Sequence, residues 1–220
     1  MPKANIIHLH AAPTQAASLG ALLESGGALV DQTEPRTLRW HALCREGHDS
    51  ELAIFDVFPD QAGRQAHFDG QVAAALHGRA GELVAGGWEQ VLANISNMVV
   101  LAEHQADTTE RAATKAGFIQ MTARPDQVAA LRALLTAGRD VVAQTEPGTV
   151  YWAALESEDR AGEFAIFDLF VDDAARDAHF AGRVAAALEE RASTLIEGGW
   201  EQGVLANVMP FEVRASVTRS

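Results

Sequence analysis

The chain contains two copies of one sequence unit, and this duplication constrains its fold more than any other feature. Residues 32–90 return as residues 144–202 at a constant offset of 112, with about 35 identities in 59 aligned positions and no gap. Solenoid repeats have periods of roughly 20–50 residues, so this unit is too long to be one of them. We therefore interpret the repeat as a whole small domain, present twice in a chain of 220 residues.

The boundaries of the two domains follow from the repeat and from one polar segment. Residues 1–102 form the first predicted domain and residues 115–220 the second. Residues 103–114 are polar and show no hydrophobic periodicity, so we interpret them as a linker.

Each copy has the pattern strand, helix, strand, strand, helix, strand. Thr14 and Asp126 are predicted N-caps of the first helix, because their side-chain oxygens can accept backbone N–H groups. Gly26 and Gly138 are predicted to end that helix. Further predictions concern the second half of each copy: Asp60 and Asp172 begin a helical segment, Gly70 and Gly182 divide it, Gly86-Gly87 end it, and the last strand of the first copy spans roughly residues 88–101.

This order of elements predicts an α+β fold of two tandem ferredoxin-like (βαββαβ) domains. The antiparallel sheet of such a unit has helices on one face only. The strand at residues 52–58 is apolar on both faces except at Asp56, which indicates that both faces are covered. We therefore expect the two sheets to pack as an intramolecular α+β barrel, a pseudo-dimer within one chain, and a further homodimer stays open.

Composition argues against several classes of function. The formal net charge is −13 with no cluster of Lys and Arg, which is unfavourable for a nucleic-acid partner. Cys44 is the only cysteine, and no apolar run of about 18 residues exists to span a membrane. The start lacks the pattern of a signal peptide, so a cytoplasmic location is expected. Neither a glycine-rich phosphate loop nor a metal-binding motif is present, so no metal and no bound cofactor are predicted.

His67 is a candidate general base, because it is the only histidine that recurs, as His179. Imidazole titrates near neutral pH and can exchange protons with a bound substrate. The alternative is a packing histidine that bonds a nearby carbonyl group.

Asp56 and Asp168 lie in the middle of an apolar strand, where a carboxylate is costly unless it is paired. His67 or Arg64 is the expected partner of Asp56, and the equivalent residues serve Asp168. The alternative role is a buried ion pair that holds the helix to the sheet.

Aromatic and amide side chains supply candidates for substrate contacts. Indole rings suit a planar ligand and donate one hydrogen bond, although tryptophan is ordinarily core or interface filler, which we favour for Trp88 and Trp200. Glu34 and Glu146 each precede a proline in a turn and are assigned a structural role. The predicted substrate contacts are Trp40, Trp152, Phe55, Phe167, Asn94 and Asn207.

Three motifs resemble the antibiotic biosynthesis monooxygenase family, which includes quinol monooxygenases. They are Glu-Pro-Gly-Thr-x-x-Trp (Glu146 to Trp152), Phe-Ala-Ile-Phe-Asp-x-Phe (Phe164 to Phe170), and Ala-Arg-x-Ala-His-Phe-x-Gly-x-Val-Ala-Ala-Ala-Leu (Ala175 to Leu188). The resemblance implies a dimeric α+β barrel, which the tandem chain would form as a fused dimer. It also implies a cofactor-independent monooxygenase with dioxygen as co-substrate.

Three functions remain open on the sequence. The favoured one is a monooxygenase that oxidises a quinol or polyketide-like aromatic molecule with dioxygen. The second is a non-catalytic barrel that binds a small aromatic molecule. Haem binding or degradation, as in another branch of the resembled family, is disfavoured, because the candidate iron ligand His77 is replaced by Glu189 in the second copy.

Overall fold

The computed structural model describes residues 1–106 and 113–219. The first repeat has four strands and four helices in its described residues. In chain order they are β1 (Lys3–His10), α1 (Ala16–Thr33), β2 (Arg39–Arg45), β3 (Glu51–Phe58), α2 (Gln61–Phe68), α3 (Gln71–Leu83), α4 (Gly87–Ala93) and β4 (Ile95–Gln105).

The second repeat follows the same order with one added 3-10 turn. Its elements are β5 (Lys115–Thr122), α5 (Val128–Thr145), β6 (Thr149–Ser157), β7 (Glu163–Phe170), α6 (Asp173–Phe180), α7 (Arg183–Leu195), α8 (Gly199–Gly203), the 3-10 turn Leu205–Asn207 and β8 (Val208–Thr218). None of the helices in the described ranges combines the length and the apolar character needed to cross a membrane.

The hydrogen-bonded order of the strands is β1-β3-β2-β8-β5-β7-β6-β4, and this order closes as a barrel. Strand β3 pairs antiparallel with both β1 and β2, and β7 pairs antiparallel with both β5 and β6. The predicted α+β barrel is therefore confirmed.

The chain divides into two compact units whose limits differ from the ends of the repeats. Unit 1 contains Met1–Met98 together with the segment from Glu212 onward, and unit 2 contains Val99–Phe211. In unit 1, the ring of His41 in β2 lies 2.9 Å from the Ser216 hydroxyl in β8. In unit 2, Tyr151 in β6 donates to Glu103 in β4 at 2.8 Å. Each unit thus consists of one repeat completed by the end of the other repeat's last strand.

Two of the predicted helix boundaries are wrong. The first helix continues through Gly26 to Thr33, because Gly26 lies inside the helix where the Trp40 ring packs closely against it. A Cβ atom at Gly26 would lie only 3.1 Å from the Trp40 ring, so glycine is required for contact and not for termination. Gly138 lies inside α5 in the same way, against the Trp152 ring.

The predicted N-caps Thr14 and Asp126 are also wrong. Helices α1 and α5 begin one residue later than these caps require, after Gln15 and Gln127, and neither position makes a side-chain capping bond. Thr14 itself has a φ of 67°, which places it in the preceding turn.

The second helical segment of each repeat agrees with the sequence. Asp60 caps α2 by accepting from the Gly63 N–H at 2.8 Å, and Asp172 caps α6 in the same way from Ala175. Gly70 and Gly182 divide the segment as predicted.

The predicted last strand of the first repeat begins too early, because Gly87–Ala93 is helical and β4 starts only at Ile95. The predicted linker also begins too early, since β4 extends to Gln105. Part of that linker, residues 107–112, lies outside the described residues.

Candidate active site

A buried cluster of two carboxyl groups and one imidazole connects three elements of unit 1. Glu34 follows the end of α1, Asp56 lies in β3, and His67 lies in the last turn of α2. The exposed fractions are 7% for Glu34, 0% for Asp56 and 4% for His67. Sequence-distant titratable groups are therefore gathered away from water, where their charges interact strongly.

The two nitrogens of His67 face different carboxyl groups. Nδ1 lies 2.5 Å from Oε2 of Glu34, and Nε2 lies 3.7 Å from Oδ2 of Asp56. The Thr37 hydroxyl donates to the same Glu34 oxygen at 3.2 Å. Glu34 therefore fixes the orientation of the ring and leaves Nε2 directed toward Asp56.

Unit 2 contains an equivalent cluster. His179 Nδ1 bonds Oε2 of Glu146, and His179 Nε2 lies 3.8 Å from Oδ2 of Asp168. Thr149 donates to Glu146 at 3.2 Å, as Thr37 does to Glu34. The repeated sequence Gln-Thr-Glu-Pro thus places the same carboxylate at the end of α1 and of α5.

The aspartates are protonated more readily than ordinary aspartates. Burial raises the pKa of Asp56 from 3.8 to about 7, although the nearby His67 charge opposes the rise. Burial alone would lower the pKa of His67, but Asp56 and Glu34 outweigh it, and the pKa of His67 is raised. For Glu34 burial is again opposed, here by the His67 hydrogen bond, and its pKa is lowered. Burial likewise raises the pKa of Asp168 to about 7.

These shifts define the proton content of the cluster near neutral pH. The lowered pKa of Glu34 and the raised pKa of His67 favour an ion pair between them, while Asp56 titrates close to pH 7. A group that titrates near the working pH is suited to general acid–base chemistry. Ionisation of Asp56 leaves the cluster with one negative charge in excess, and burial makes that charge costly.

A cavity of about 430 Å³ lies beside this cluster within unit 1. Its size is typical of small-molecule sites, and most of its lining is aliphatic or aromatic. His67 and Trp40 both line it. The Trp40 Nε1–H is fully buried and has no hydrogen-bond partner among the described residues.

The structure selects between the two partners expected for Asp56. Arg64 donates to the backbone carbonyls of Ala4 in β1 and Met98 in β4, at 3.1 and 2.8 Å, and so joins α2 to both strands. His67 is the charged group that faces Asp56.

The predicted substrate contacts are placed in three different settings. Trp40 lines the cavity, and Trp152 has the equivalent position in β6 opposite Asp168. Phe55 follows Ile54, which lines the cavity, so the Phe55 side chain projects to the face of the sheet that points away from the cavity. Phe167 follows Ile166 in the equivalent strand of the second repeat. Their assignment as substrate contacts stays a prediction.

The two predicted asparagines have structural partners. Asn94 follows α4 and donates to the His8 carbonyl at 2.9 Å, and Asn207 donates to the Gly203 carbonyl at 3.1 Å. Their assignment as substrate contacts stays a prediction.

Glu34 and Glu146 are functional candidates that the sequence reasoning missed. Both were assigned to a turn because proline follows them. The available signal was the recurrence of the whole tetrapeptide, which a turn alone does not require.

Neither metal nor haem ligation gains support from the arrangement of side chains. Across residues 1–106 and 113–219, no three His, Cys, Asp or Glu residues are grouped as a metal site requires. His77 is exposed and packs on Trp88 with ring centroids 4.6 Å apart, outside the residues that line the cavity. Independence from cofactors stays a prediction.

A comparison with known families finds a match in the second repeat. Residues 118–197 match the model of the family described as antibiotic biosynthesis monooxygenase. The resemblance expected from the motifs of the second repeat is therefore confirmed. No curated protein matches the chain.

Solved structures show the same fold over the whole chain. A candidate monooxygenase from Fusobacterium nucleatum has a TM-score of 0.82 at 13% identity, covering 100% of this chain and 95% of its own. One from Lactobacillus acidophilus has a TM-score of 0.79 at 13% identity, with coverages of 99% and 96%. An anthrone oxidase-like protein has a TM-score of 0.61 at 13% identity, with coverages of 98% and 92%. Identities this low establish the fold alone.

Proposed function

Because the second repeat matches the antibiotic biosynthesis monooxygenase family and the first repeat is similar to it in sequence, we propose that the chain is a cofactor-independent monooxygenase. Its substrate is a quinol or polyketide-like aromatic molecule, and dioxygen is the co-substrate. The likeness to an anthrone oxidase-like structure is consistent with this class of substrate.

One observation carries the proposal: His67 belongs both to the buried proton-accepting cluster and to the wall of an apolar cavity. A substrate in the cavity would therefore meet an imidazole whose second neighbour, Asp56, titrates near pH 7. A purely structural ion pair requires neither a cavity nor an aspartate that is poised between its two charge states.

The cluster supplies the base that such a reaction needs. When Asp56 is ionised, His67 can pass its Nε2 proton to Asp56, and Nε2 then accepts the proton of a substrate phenol or enol. The electron-rich anion that results reduces dioxygen directly. For an anthrone-like substrate the balance is R₂CH₂ + O₂ → R₂C=O + H₂O, in which the substrate supplies all four electrons.

The cavity supplies the remaining requirements. The Trp40 ring gives the cavity an aromatic wall against which a planar substrate can pack. The apolar lining excludes water, which protects a carbanion or radical from side reactions.

Oxygen consumption by chelator-treated protein tests the proposal. We expect uptake with members of a panel of hydroquinones and anthrones, and a loss of at least about a hundredfold in the His67→Ala/His179→Ala double variant. His77→Ala is the matched control, because His77 lies outside the cluster, and it should keep the wild-type rate. Absence of uptake, or equal rates in the double variant and wild type, would refute the proposal.

A non-catalytic carrier is the second candidate, and the apolar lining of the cavity favours it, since most of the lining can contact a ligand without reacting. Mass spectrometry of any co-purified aromatic molecule, before and after exposure to oxygen, separates the two functions. A carrier returns its ligand unchanged, whereas the proposed enzyme returns an oxidised one.

A further inference from the structure

His67 lines two spaces in unit 1. One is the apolar cavity beside the acid–base cluster, and the other is a second pocket of about 360 Å³, which we call the outer pocket. The outer pocket lies where the end of α1 meets α2 and the start of α3. Within the part of the chain that the structure describes, His67 is the only residue common to both linings. The imidazole therefore separates the cavity from the outer pocket.

The outer pocket opens to solvent, and the acid–base cluster reaches its lining. The rim consists of exposed residues, namely Thr33, Pro35, Arg36, Ala66 and Gln71. The buried residues of the same lining include Glu34, Thr37 and His67. The carboxylate that bonds Nδ1 of His67 at 2.5 Å thus also lines a pocket that is open to solvent.

A glycine gives the second oxygen of this carboxylate its place in the lining. A Cβ atom at Gly70 would lie 2.6 Å from Oε1 of Glu34, so a larger residue would displace the carboxylate. Gly70 itself lines the outer pocket, and Oε1 is therefore next to that lining. The contact from the Val72 N–H to Oε1 is long, at 3.4 Å, whereas Oε2 bonds His67. One oxygen of Glu34 thus serves the ring and the other lies beside the outer pocket.

Asp56 has no comparable route to solvent. It is fully buried, and among the described residues it belongs to neither lining. A buried carboxylate in excess of its partners is costly, so its charge can be maintained only if protons can enter and leave the cluster. Nε2 of His67, 3.7 Å from Oδ2, belongs to the charged group that faces Asp56. The His67 ring is therefore the group through which Asp56 can exchange protons.

We propose that His67 and Glu34 carry protons between the cavity and the solvent in the outer pocket, and that Glu34 is the outlet of the acid–base cluster. This assignment rests on the proposed function and specifies how its base is reset. After Nε2 has accepted a substrate proton, Nδ1 gives its own proton to Glu34, and Glu34 gives it to water. Each transfer breaks one N–H or O–H bond and forms another, no electron moves, and the reverse sequence returns a proton to the cluster.

Solvent exchange of the proton shared by His67 and Glu34 tests this path without turnover. NMR magnetisation transfer from water gives the exchange rate of the Nδ1 proton in the full chain, and loss of the signal in His67→Gln assigns it. We expect exchange at least about tenfold faster than that of the backbone amides of residues 54–57 in β3, which exchange only when the structure opens locally. Equal rates would mean that the ring proton also waits for local opening, and would overturn the assignment.

Blocking the outer pocket tests the path while leaving the cluster unchanged. Ala66→Phe places a ring at the exposed rim, and we expect the His67 ring proton to exchange about tenfold more slowly in this variant. Ala178→Phe, at the equivalent position of the second repeat, is the matched control and should leave the His67 rate at the wild-type value. If Ala66→Phe does not fold, Gln71→Trp covers the same pocket from α3. A folded blocking variant with the wild-type rate would contradict the path.

Glu34→Gln distinguishes a proton carrier from a group that only orients the ring. Its amide oxygen can still accept the Nδ1 hydrogen bond, but the amide cannot take up a proton. With anthrone held anaerobically in D₂O, we expect the wild-type protein to catalyse incorporation of deuterium at the acidic C–H positions, and Glu34→Gln and Ala66→Phe to do so at least about tenfold more slowly. Wild-type incorporation in either variant would overturn the assignment.

The two proposals fail in different ways. Fast exchange of the ring proton through the outer pocket, in a protein that consumes no oxygen, would refute the proposed function alone. Oxygen uptake by a protein whose ring proton exchanges only by local opening would refute only the role of Glu34 as the outlet.

Discussion

Replacing Asp56 by asparagine should stabilise the protein at alkaline pH while slowing its reaction. The reason is that Asp56 is fully buried and burial raises its pKa from 3.8 to about 7. Below pH 3.8 the carboxyl is protonated in both the folded and the unfolded chain, so it does not lower the free energy of unfolding. As the pH rises, the unfolded chain ionises first, so stability is lost progressively up to pH 7.

The size of this loss follows from the difference in pKa. A rise from 3.8 to about 7 corresponds to about 4 kcal/mol of unfolding free energy above pH 7. About 2 kcal/mol of this develops between pH 5.5 and 8.0. The neutral amide of Asp56→Asn has no such dependence, so its stability relative to wild type should improve by about 2 kcal/mol over that range.

Urea unfolding followed by tryptophan fluorescence at pH 5.5 and 8.0 measures this difference directly. Asp168→Asn is the matched variant of unit 2 and should show the same shift, because the pKa of Asp168 is also raised to about 7. The oxygen-uptake rate of Asp56→Asn should fall, because the proton acceptor behind His67 is lost. If Asp56 only held the helix to the sheet, its removal would cost about 3–5 kcal/mol at both pH values, and that result would refute the reasoning.

Three further predictions concern packing, capping and strand exchange. Gly26→Ala should lower the free energy of unfolding in urea by about 1–3 kcal/mol, because its Cβ would lie 3.1 Å from the Trp40 ring. Gly78→Ala has nothing within 4 Å of its Cβ and should stabilise the protein by about 0.5–1 kcal/mol. Equal effects of the two substitutions would contradict the packing argument. Asp60→Ala should lower stability by about 1 kcal/mol through loss of the α2 cap, and an unchanged urea midpoint would show that the cap contributes little. Residues 1–103 expressed alone lack the part of β8 that belongs to unit 1 and should dimerise or aggregate, so a folded monomer by light scattering would argue against the exchanged strand.

The fold was largely accessible from the sequence because local signals and the duplication agree. The order of elements, the caps at Asp60 and Asp172 and the break at Gly70 each depend on a few neighbouring residues. Gly26 was misread because its reason is tertiary: the ring that requires a glycine there comes from β2, distant in sequence. The last strand was predicted to begin too early for a different reason: α4 is a short helix, and its sequence shows no helical period.

Only part of the site could be predicted from the sequence, because some of its residues are brought together by tertiary contacts. His67 and Asp56 were found because they recur and because a carboxyl in an apolar strand is unusual. Glu34 was assigned to a turn, since nothing in its immediate sequence shows that the end of α1 meets the end of α2.

The most direct test of the central claim is the fate of dioxygen in the absence of any added cofactor. Chelator-treated protein, loaded anaerobically with an anthrone or hydroquinone that supports oxygen uptake, is exposed to ¹⁸O₂ and the product is analysed by mass spectrometry. We predict one ¹⁸O atom in the product formed by the wild-type protein and none above background in the His67→Ala/His179→Ala variant. An unlabelled product, or equal labelling in both proteins, would contradict the account.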